Sequence, residues 1–395
     1  FLPTVKRSND AIASSWPPDS LRKAAAGSWP NPTVHWRCEI ETLYFDARYI
    51  RVNHHDGISR FSVGLLNALV GKVDLVAIVC DPAQLTLLPP GIPHVYLNAP
   101  TAATEFLAAW KLNRLGAKLV YSPMQTIGSI GRRFKLVLTI HDLIYYRHPA
   151  PPPTLPFWVK LGWRLYHLSF APARLALRNC EAVVTVSQTT KNLMVKHNLT
   201  KRPLAVVYNA AGNQQPLDGV LQRRPEGHQK LIYMGSFMEY KNVECLVAGM
   251  RLLPNYELHL LSPIAVNRET ELRRLAPESN LVFHRGVSEE RYMELLDAAV
   301  ALVSASKDEG FGIPLVEAMS RGVPVVVSDI GIFHEIAESA ASYFDQSKPE
   351  NFARAVRSLE AADQWSSFSE AGYKQAKKFD WNRSADALIG LLRQL

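Results

Sequence analysis

The sequence predicts an α/β protein built of two Rossmann-like domains facing a central cleft, and three observations carry that prediction. The chain has 395 residues, more than one hydrophobic core usually supports. Short β-branched runs alternate with helical patterns along most of it, the signature of parallel, doubly wound sheets. The alternation breaks across residues 210–229, AAGNQQPLDGVLQRRPEGHQ, into Gly, Pro and polar residues, and then restarts.

Taken in order, residues 1–39 are rich in Pro, Ser, Trp and Ala without a period and read as an irregular arm. Trp16, Trp29 and Trp36 are costly to leave in water and are expected to pack somewhere. From Ile40, ETLYFDA reads as a strand and GISRFSVGLLNALVG as a helix. VDLVAIVC is a strand, TEFLAAWKLNRLG a helix, AKLVYS, KLVLTIHD and EAVVTVS strands, and TTKNLMVKH a helix. This set forms a first domain over 40–212. In 213–379, LIYMGSF, YELHLLS, NLVFHRG, AVALVSAS and VPVVVSD read as strands. The helices VECLVAGMRLL, ETELRRLA, SEERYMELLDAA and IPLVEAMSRG separate them, and IFHEIAESA and PENFARAVRSLEAA continue the series. Two such domains leave a cleft between the carboxyl ends of their strands, where α/β sheets bind ligands.

Composition narrows the class. With 47% hydrophobic and 20% charged residues the chain has the profile of a globular protein. Apolar stretches such as Val73–Cys80 and Val323–Val327 fall short of the roughly 20 residues that span a bilayer. FLPTVKRSND shows no apolar secretory core, although the chain does not begin with Met and reads as trimmed. Cys38, Cys80, Cys180 and Cys245 form no C-x-x-C, which argues against a disulfide framework or a zinc site and makes the cytoplasm the expected compartment. Residues 1–215 carry 24 Lys and Arg against 11 Asp and Glu, whereas residues 216–395 carry 20 against 25. The basic first half is therefore expected to meet something anionic, a phosphorylated substrate or the inner face of the plasma membrane. No nucleic-acid motif accompanies the charge.

The stretch KDEGFGIPLVEAMSRGVPVVVSD, residues 307–329, carries the chemistry. Leu315 stands where a dinucleotide fingerprint needs its third Gly, so a dehydrogenase is disfavoured, and no Walker loop occurs. A turn on Gly310 and Gly312 leads into a helix with Pro314 in its first turn, where proline costs no hydrogen bond. The free N–H groups of such a turn can hold a phosphate or a sugar hydroxyl. Glu309 and Glu317 flank it, and a carboxylate pair there can accept from vicinal hydroxyls. The alternative is a helix-capping Glu309 and a merely exposed Glu317. His54 and His55 are adjacent and point apart, which disfavours a shared metal.

EGFGIPLVEAMSRGVPVVVSD closely resembles the E-x7-E signature of retaining glycosyltransferases of the GT-B fold, the group known as glycosyltransferase group 1 or family four. The resemblance extends over most of residues 44–395. YMGSFMEYKN, EGFGIPLVEAM and SDIGIFHEIAESAASYFDQ follow the family's second domain in order and spacing, with the usual proline replaced at Phe333. FDWNRSADALIGLL is similar to its closing helix, which implies that residues 380–395 cross back to the first domain. DGISRF looks like its Gly-rich first loop and LTIHDLIYYRHP like the strand carrying its active-site His.

The resemblance implies roles. Glu309 would hold donor-sugar hydroxyls, helped by the backbone of Gly310, Phe311 and Gly312, and Glu317 would grip the donor ribose. Lys241 would neutralise the diphosphate, His141 would lie near the sugar face with Asp142 beside it, and Gly57 would aim a helix N-terminus at phosphate. Ser236 and Ile313 also fall on the donor side. The implied donor is a nucleotide diphosphate sugar, first GDP-mannose because G-x5-K-N at Gly235–Asn242 is similar to the mannosyltransferase branch, then a UDP-sugar. The implied acceptor is anionic, polysaccharide or lipid-linked. No D-x-D occurs, so the resemblance implies metal-independent transfer without a cofactor.

Two departures stand out. Ser236 and Tyr240 occupy positions where the family commonly has an Arg beside its Lys, and Arg60, Arg268 and Arg285 are the candidates to compensate. Ser59 replaces a frequent second Gly. A nucleotide-sugar-binding protein without transfer activity is thus a competing expectation, and a nucleotide-sugar epimerase of the same fold a weaker one. Asn209 reads as an inter-domain turn residue. The stretch PPPTLPFWVKLGWRLYHLSFAPARLALRN, basic and aromatic with no acidic residue, is expected to shape the acceptor site or to meet an anionic membrane.

Overall fold

The computed structural model describes residues 40–52, 56–151, 155–212 and 229–395. The arm 1–39, His54 and His55, and most of the 210–229 break lie outside the described residues.

The first sheet is built from β1 (Leu43–Asp46), α1 (Gly57–Leu69), β2 (Leu75–Val79), β3 (His94–Tyr96), α2 (Ala108–Arg114), β4 (Leu119–Ser122) and β5 (Lys135–Ile140). It continues through α3 (Ile144–Arg147), α4 (Phe157–His167), α5 (Ala171–Arg178), β6 (Ala182–Thr185), α6 (Gln188–Lys196) and β7 (Leu204–Val206). Its seven strands run in the order β3-β2-β1-β4-β5-β6-β7, all parallel.

The second sheet comprises β8 (Gln229–Tyr233), α7 (Val243–Gly249), β9 (Tyr256–Leu260), α8 (Val266–Leu275), β10 (Leu281–Phe283), α9 (Glu289–Asp297) and β11 (Ala301–Ser304). It is completed by α10 (Ile313–Ser320), β12 (Val325–Ser328), α11 (Gly331–Ala337), β13 (Ala341–Phe344) and α12 (Pro349–Arg357), followed by α13 (Ala362–Ala376) and α14 (Trp381–Leu392). Its order is β10-β9-β8-β11-β12-β13, again parallel.

Strands β6, β11 and β12 read AVVT, ALVS and VVVS and are buried throughout. Helices cover both faces of a parallel sheet, which is why these strands are continuously apolar rather than alternating. In each sheet the strand order reverses once, between β1 and β4 and between β8 and β11. Loops leaving the carboxyl ends there diverge and open a crevice. The loops after β1, β8 and β11 carry Gly57, Lys241 and Glu309 respectively.

Several ties join the two halves. Helix α14 lies against α1, where a Cβ on Gly64 would sit 2.2 Å from Trp381 Cε2. Lys72 Nζ reaches Asp386 at 2.7 Å, and Ser384 Oγ donates to the Tyr208 carbonyl at 2.7 Å. Glu335 of α11 accepts from the N–H groups of Gln188 and Thr189 at 2.6 and 2.7 Å, capping α6 across the halves.

Strands β3, β7 and β13 and helices α3, α4, α5 and α13 go beyond the predicted series. Strands β3 and β7 are three-residue edges, too short to show alternation. Helix α4 hides its period by being apolar on two faces, with none of its residues buried.

Candidate active site

After β11 the chain turns through Ser306–Gly312 into α10. Gly312 sits at φ 95, ψ 55, a left-handed conformation that L side chains rarely adopt, and Pro314 follows as the second residue of the helix. The N–H groups of Gly310, Phe311 and Gly312 have no carbonyl partner among the described residues. Glu309 Oε1 accepts from Lys241 Nζ at 2.5 Å and from Ser306 Oγ at 2.9 Å. Lys241 is delivered by a single 3-10 turn, Glu239–Lys241, after β8. The Lys307 N–H donates to the Tyr240 carbonyl at 2.7 Å, fastening the loop that carries Lys241 to the loop that carries Glu309.

Glu317 is buried, only 5% exposed, which removes the alternative of a merely exposed side chain. It accepts from Arg60 of α1 and from Tyr292 Oη at 3.0 Å. Burial pushes its carboxyl upward, and Arg60 opposes that push.

The facing wall comes from the loop after β5. His141 Nε2 lies 2.7 Å from the Pro123 carbonyl, and since a carbonyl only accepts, Nε2 carries the proton. The ring meets Phe61 edge-on at 5.1 Å. Burial drives the imidazole downward, toward the neutral form. Asp142 accepts from the Ile144 N–H at 3.0 Å, and burial pushes its carboxyl upward. A Cβ on Gly310 would lie 2.7 Å from the His141 carbonyl oxygen. The two loops can meet only because that residue is glycine. Opposite, Gly57 opens α1 with Ile313 Cδ1 3.5 Å from where its Cβ would be, and Asp56 caps the helix by accepting from the Ser59 N–H at 2.9 Å.

Gly57, His141, Asp142, Ser236, Lys241, Glu309, Gly310, Phe311, Gly312, Ile313 and Glu317, the residues predicted to act, all line one cavity of about 570 Å3 between the halves. That volume suits a small-molecule ligand. The arginines expected to reinforce Lys241 are engaged elsewhere: Arg60 with Glu317, Arg268 with Glu244 and Glu271, and Arg285 with Glu269.

The sequence reading missed the pairing of Asp308 and the burial of Asn209. Asp308 is buried and pairs with Arg147 of α3, with His148 Nε2 3.7 Å away. Burial pushes its carboxyl up to about 6 against the pull of Arg147. Both partners lie within quoted stretches, KDEGFG and LTIHDLIYYRHP, but nothing local joins them. Asn209, read as a turn residue, is buried in the cavity wall with Oδ1 unpartnered among the described residues.

Comparison with known proteins gives this geometry a class. Residues 56–211 match the family Glycosyltransferase Family 4, and residues 221–378 match Glycosyl transferases group 1. Sucrose-phosphate synthase from Thermosynechococcus elongatus superposes with TM-score 0.69 at 17% identity, covering 90% of this chain and 98% of that one. Anabaena HepE, solved with UDP-glucose, gives 0.67 at 17% identity, covering 90% and 100%. The chain belongs to the group 1 and family four glycosyltransferases and has their GT-B fold.

Its curated relatives are more particular. The O-antigen chain mannosyltransferase RfbU of Salmonella typhimurium is 25% identical over 77% of this chain and 87% of its own length. The serotype-specific mannosyltransferase WbdA of Escherichia coli is 31% identical over 34% of this chain and 17% of its own. Among glycosyltransferases, this protein is mannosyltransferase-like.

Proposed function

We propose that the protein is a retaining, metal-independent hexosyltransferase that moves mannose from GDP-mannose to an anionic or lipid-linked glycan acceptor. The observation that carries this reading is the Lys241–Glu309 pair, held at 2.5 Å across the cavity from His141. Glu309 takes hydroxyls of the donor sugar, Lys241 and the N-termini of α1 and α10 take the diphosphate, and Glu317 takes the ribose. The bond from the anomeric carbon to the phosphate oxygen breaks as the acceptor oxygen bonds to that carbon on the same face. The acceptor's proton passes to the departing phosphate oxygen, so no other nucleophile or base is needed. Positive charge aimed at the leaving group stabilises it where its charge develops.

The mannosyl donor is supported by the names of the relatives RfbU and WbdA. HepE, whose structure holds UDP-glucose, keeps a UDP-sugar as the next donor to test. Contact with an anionic membrane is supported by α4, which exposes Phe157, Trp158, Leu161 and Leu165 beside Lys160 and Arg164. Residues 143–180 contain no Asp or Glu. Among the described residues no helix is long and apolar enough to cross a membrane.

The test is a panel of GDP- and UDP-sugars scored for nucleotide release and transfer. Turnover should fall by about 10²-fold or more in Glu309→Ala and Lys241→Ala, and unchanged turnover in both sinks the assignment. A second reading, a nucleotide-sugar-binding protein without transfer, rests on Lys241 having no neighbouring Arg at Ser236 or Tyr240. It requires nucleotide binding with no turnover of any donor, and turnover gained on Ser236→Arg or Tyr240→Arg.

A further inference from the structure

The donor cavity is not the only concavity at His141. A second one, of about 600 Å3, opens on the far side of the His141–Asp142 loop. Ile58, His141, Asp142 and Tyr145 line both. A group held at His141 is therefore within reach of a molecule on either side.

The outer wall of this second cavity is one stripe of α4. Val159, Gly162, Trp163, Tyr166 and His167 line it, at the i, i+3, i+4, i+7, i+8 spacing of a single helix face. Trp163 stands edge-on to Tyr145 at 4.7 Å and packs against His167 at 4.6 Å. These contacts fix the rings before any ligand arrives, which lowers the ordering cost of binding.

Two polar features mark the lining. Trp163 Nε1 is buried and has no hydrogen-bond partner among the described residues. Leaving such a donor unpaired is unfavourable, and a ligand oxygen that reaches it removes that penalty. Asp142 uses Oδ1 on the Ile144 N–H, so its other oxygen remains for a ligand hydroxyl. An alkyl chain would satisfy neither group. A ring with apolar faces and hydroxyls on its edge satisfies both.

We infer that this second cavity is an acceptor subsite that holds a pyranose ring between the rings of α4 and Asp142. The acceptor hydroxyl turns past His141 toward the donor, and Trp163 sets specificity by accepting a hydroxylated ring over an apolar chain. The assignment of the ring as acceptor rests on the transferase reading above. The rest of the acceptor leaves beside α4, whose opposite face exposes Phe157, Leu161 and Leu165.

Saturation-transfer NMR with methyl α-D-mannopyranoside and with octyl β-D-glucopyranoside below its micelle concentration tests this. Pyranose ring protons of both probes should receive saturation. Affinity should fall about 5- to 10-fold in Trp163→Phe, which keeps a ring and loses the N–H, and further in Trp163→Ala. Saturation confined to the octyl chain, or unchanged affinity in both folded variants, overturns the inference. GDP and UDP titrated into the same wild-type sample report the donor cavity independently. Pyranoside binding without nucleotide binding keeps the sugar subsite and removes the transferase reading. Nucleotide binding without pyranoside binding removes the subsite alone.

Discussion

The two walls of the cleft are built differently. On the second-sheet side, Glu309 is fixed by Lys241 and Ser306 on loops at the strand ends, and Glu317 of α10 by Tyr292 of α9 and, from across the cleft, by Arg60 of α1. On the first-sheet side, beyond His141, helix α4 has no buried residue and leaves Trp158 78% exposed. A donor that is always a nucleotide sugar can be met by a rigid, pre-paired set of charges. On the reading proposed above, the acceptor is met by α4, which holds Trp163 and His167 on its inward face through ring contacts and leaves its outward face exposed.

Breaking the rigid wall should have the largest effect. Lys241→Ala should lower kcat about 10²–10³-fold, the usual loss of one group aimed at developing charge. If Lys241 and Glu309 act as a unit, the double variant should lose little more than either single one, read as a double-mutant cycle. Full additivity would separate them.

Arg60→Met should come next. It leaves the buried carboxylate of Glu317 with Tyr292 as its remaining donor, at a stability cost of about 3 kcal/mol, the lower end for breaking a buried pair. Urea unfolding measures this, and an unchanged midpoint would show that Glu317 is neutral in the native state.

The Asp308 contact sharpens the comparison through pH. Its carboxyl is raised to about 6, above the usual Asp value near 4, so between those values the native state holds a proton that the unfolded chain releases. Wild type should therefore lose stability relative to Asp308→Asn as pH rises through that window, by no more than about 3 kcal/mol. A flat or opposite difference in melting temperature against pH rejects the raised value.

The smallest effect on folding belongs to the permissive wall. Trp158→Ser with Leu161→Ser should change stability by less than about 0.5 kcal/mol, because neither side chain is buried. The same pair should weaken binding to phosphatidylglycerol vesicles, measured by sedimentation. Undiminished binding would move the membrane contact away from α4.

The sequence alone determined the elements that repeat. Short, continuous, β-branched runs such as VPVVVSD read as strands covered on both faces, and the Gly-x-Gly turn before Pro314 marked where α10 begins. These features are local, so a window of a few residues shows them. Only the tertiary structure decided which charges meet. Arg60 and Glu317 lie 257 residues apart, and Arg147 and Asp308 lie 161 apart. The sequence offered Arg60 to the diphosphate, whereas the fold gives it to Glu317. The burial of Glu317, the raised carboxyl of Asp308 and the indole of Trp163, unpartnered among the described residues, were likewise out of reach. Each depends on which surfaces exclude water, and that is set when two distant parts of the chain close on one another.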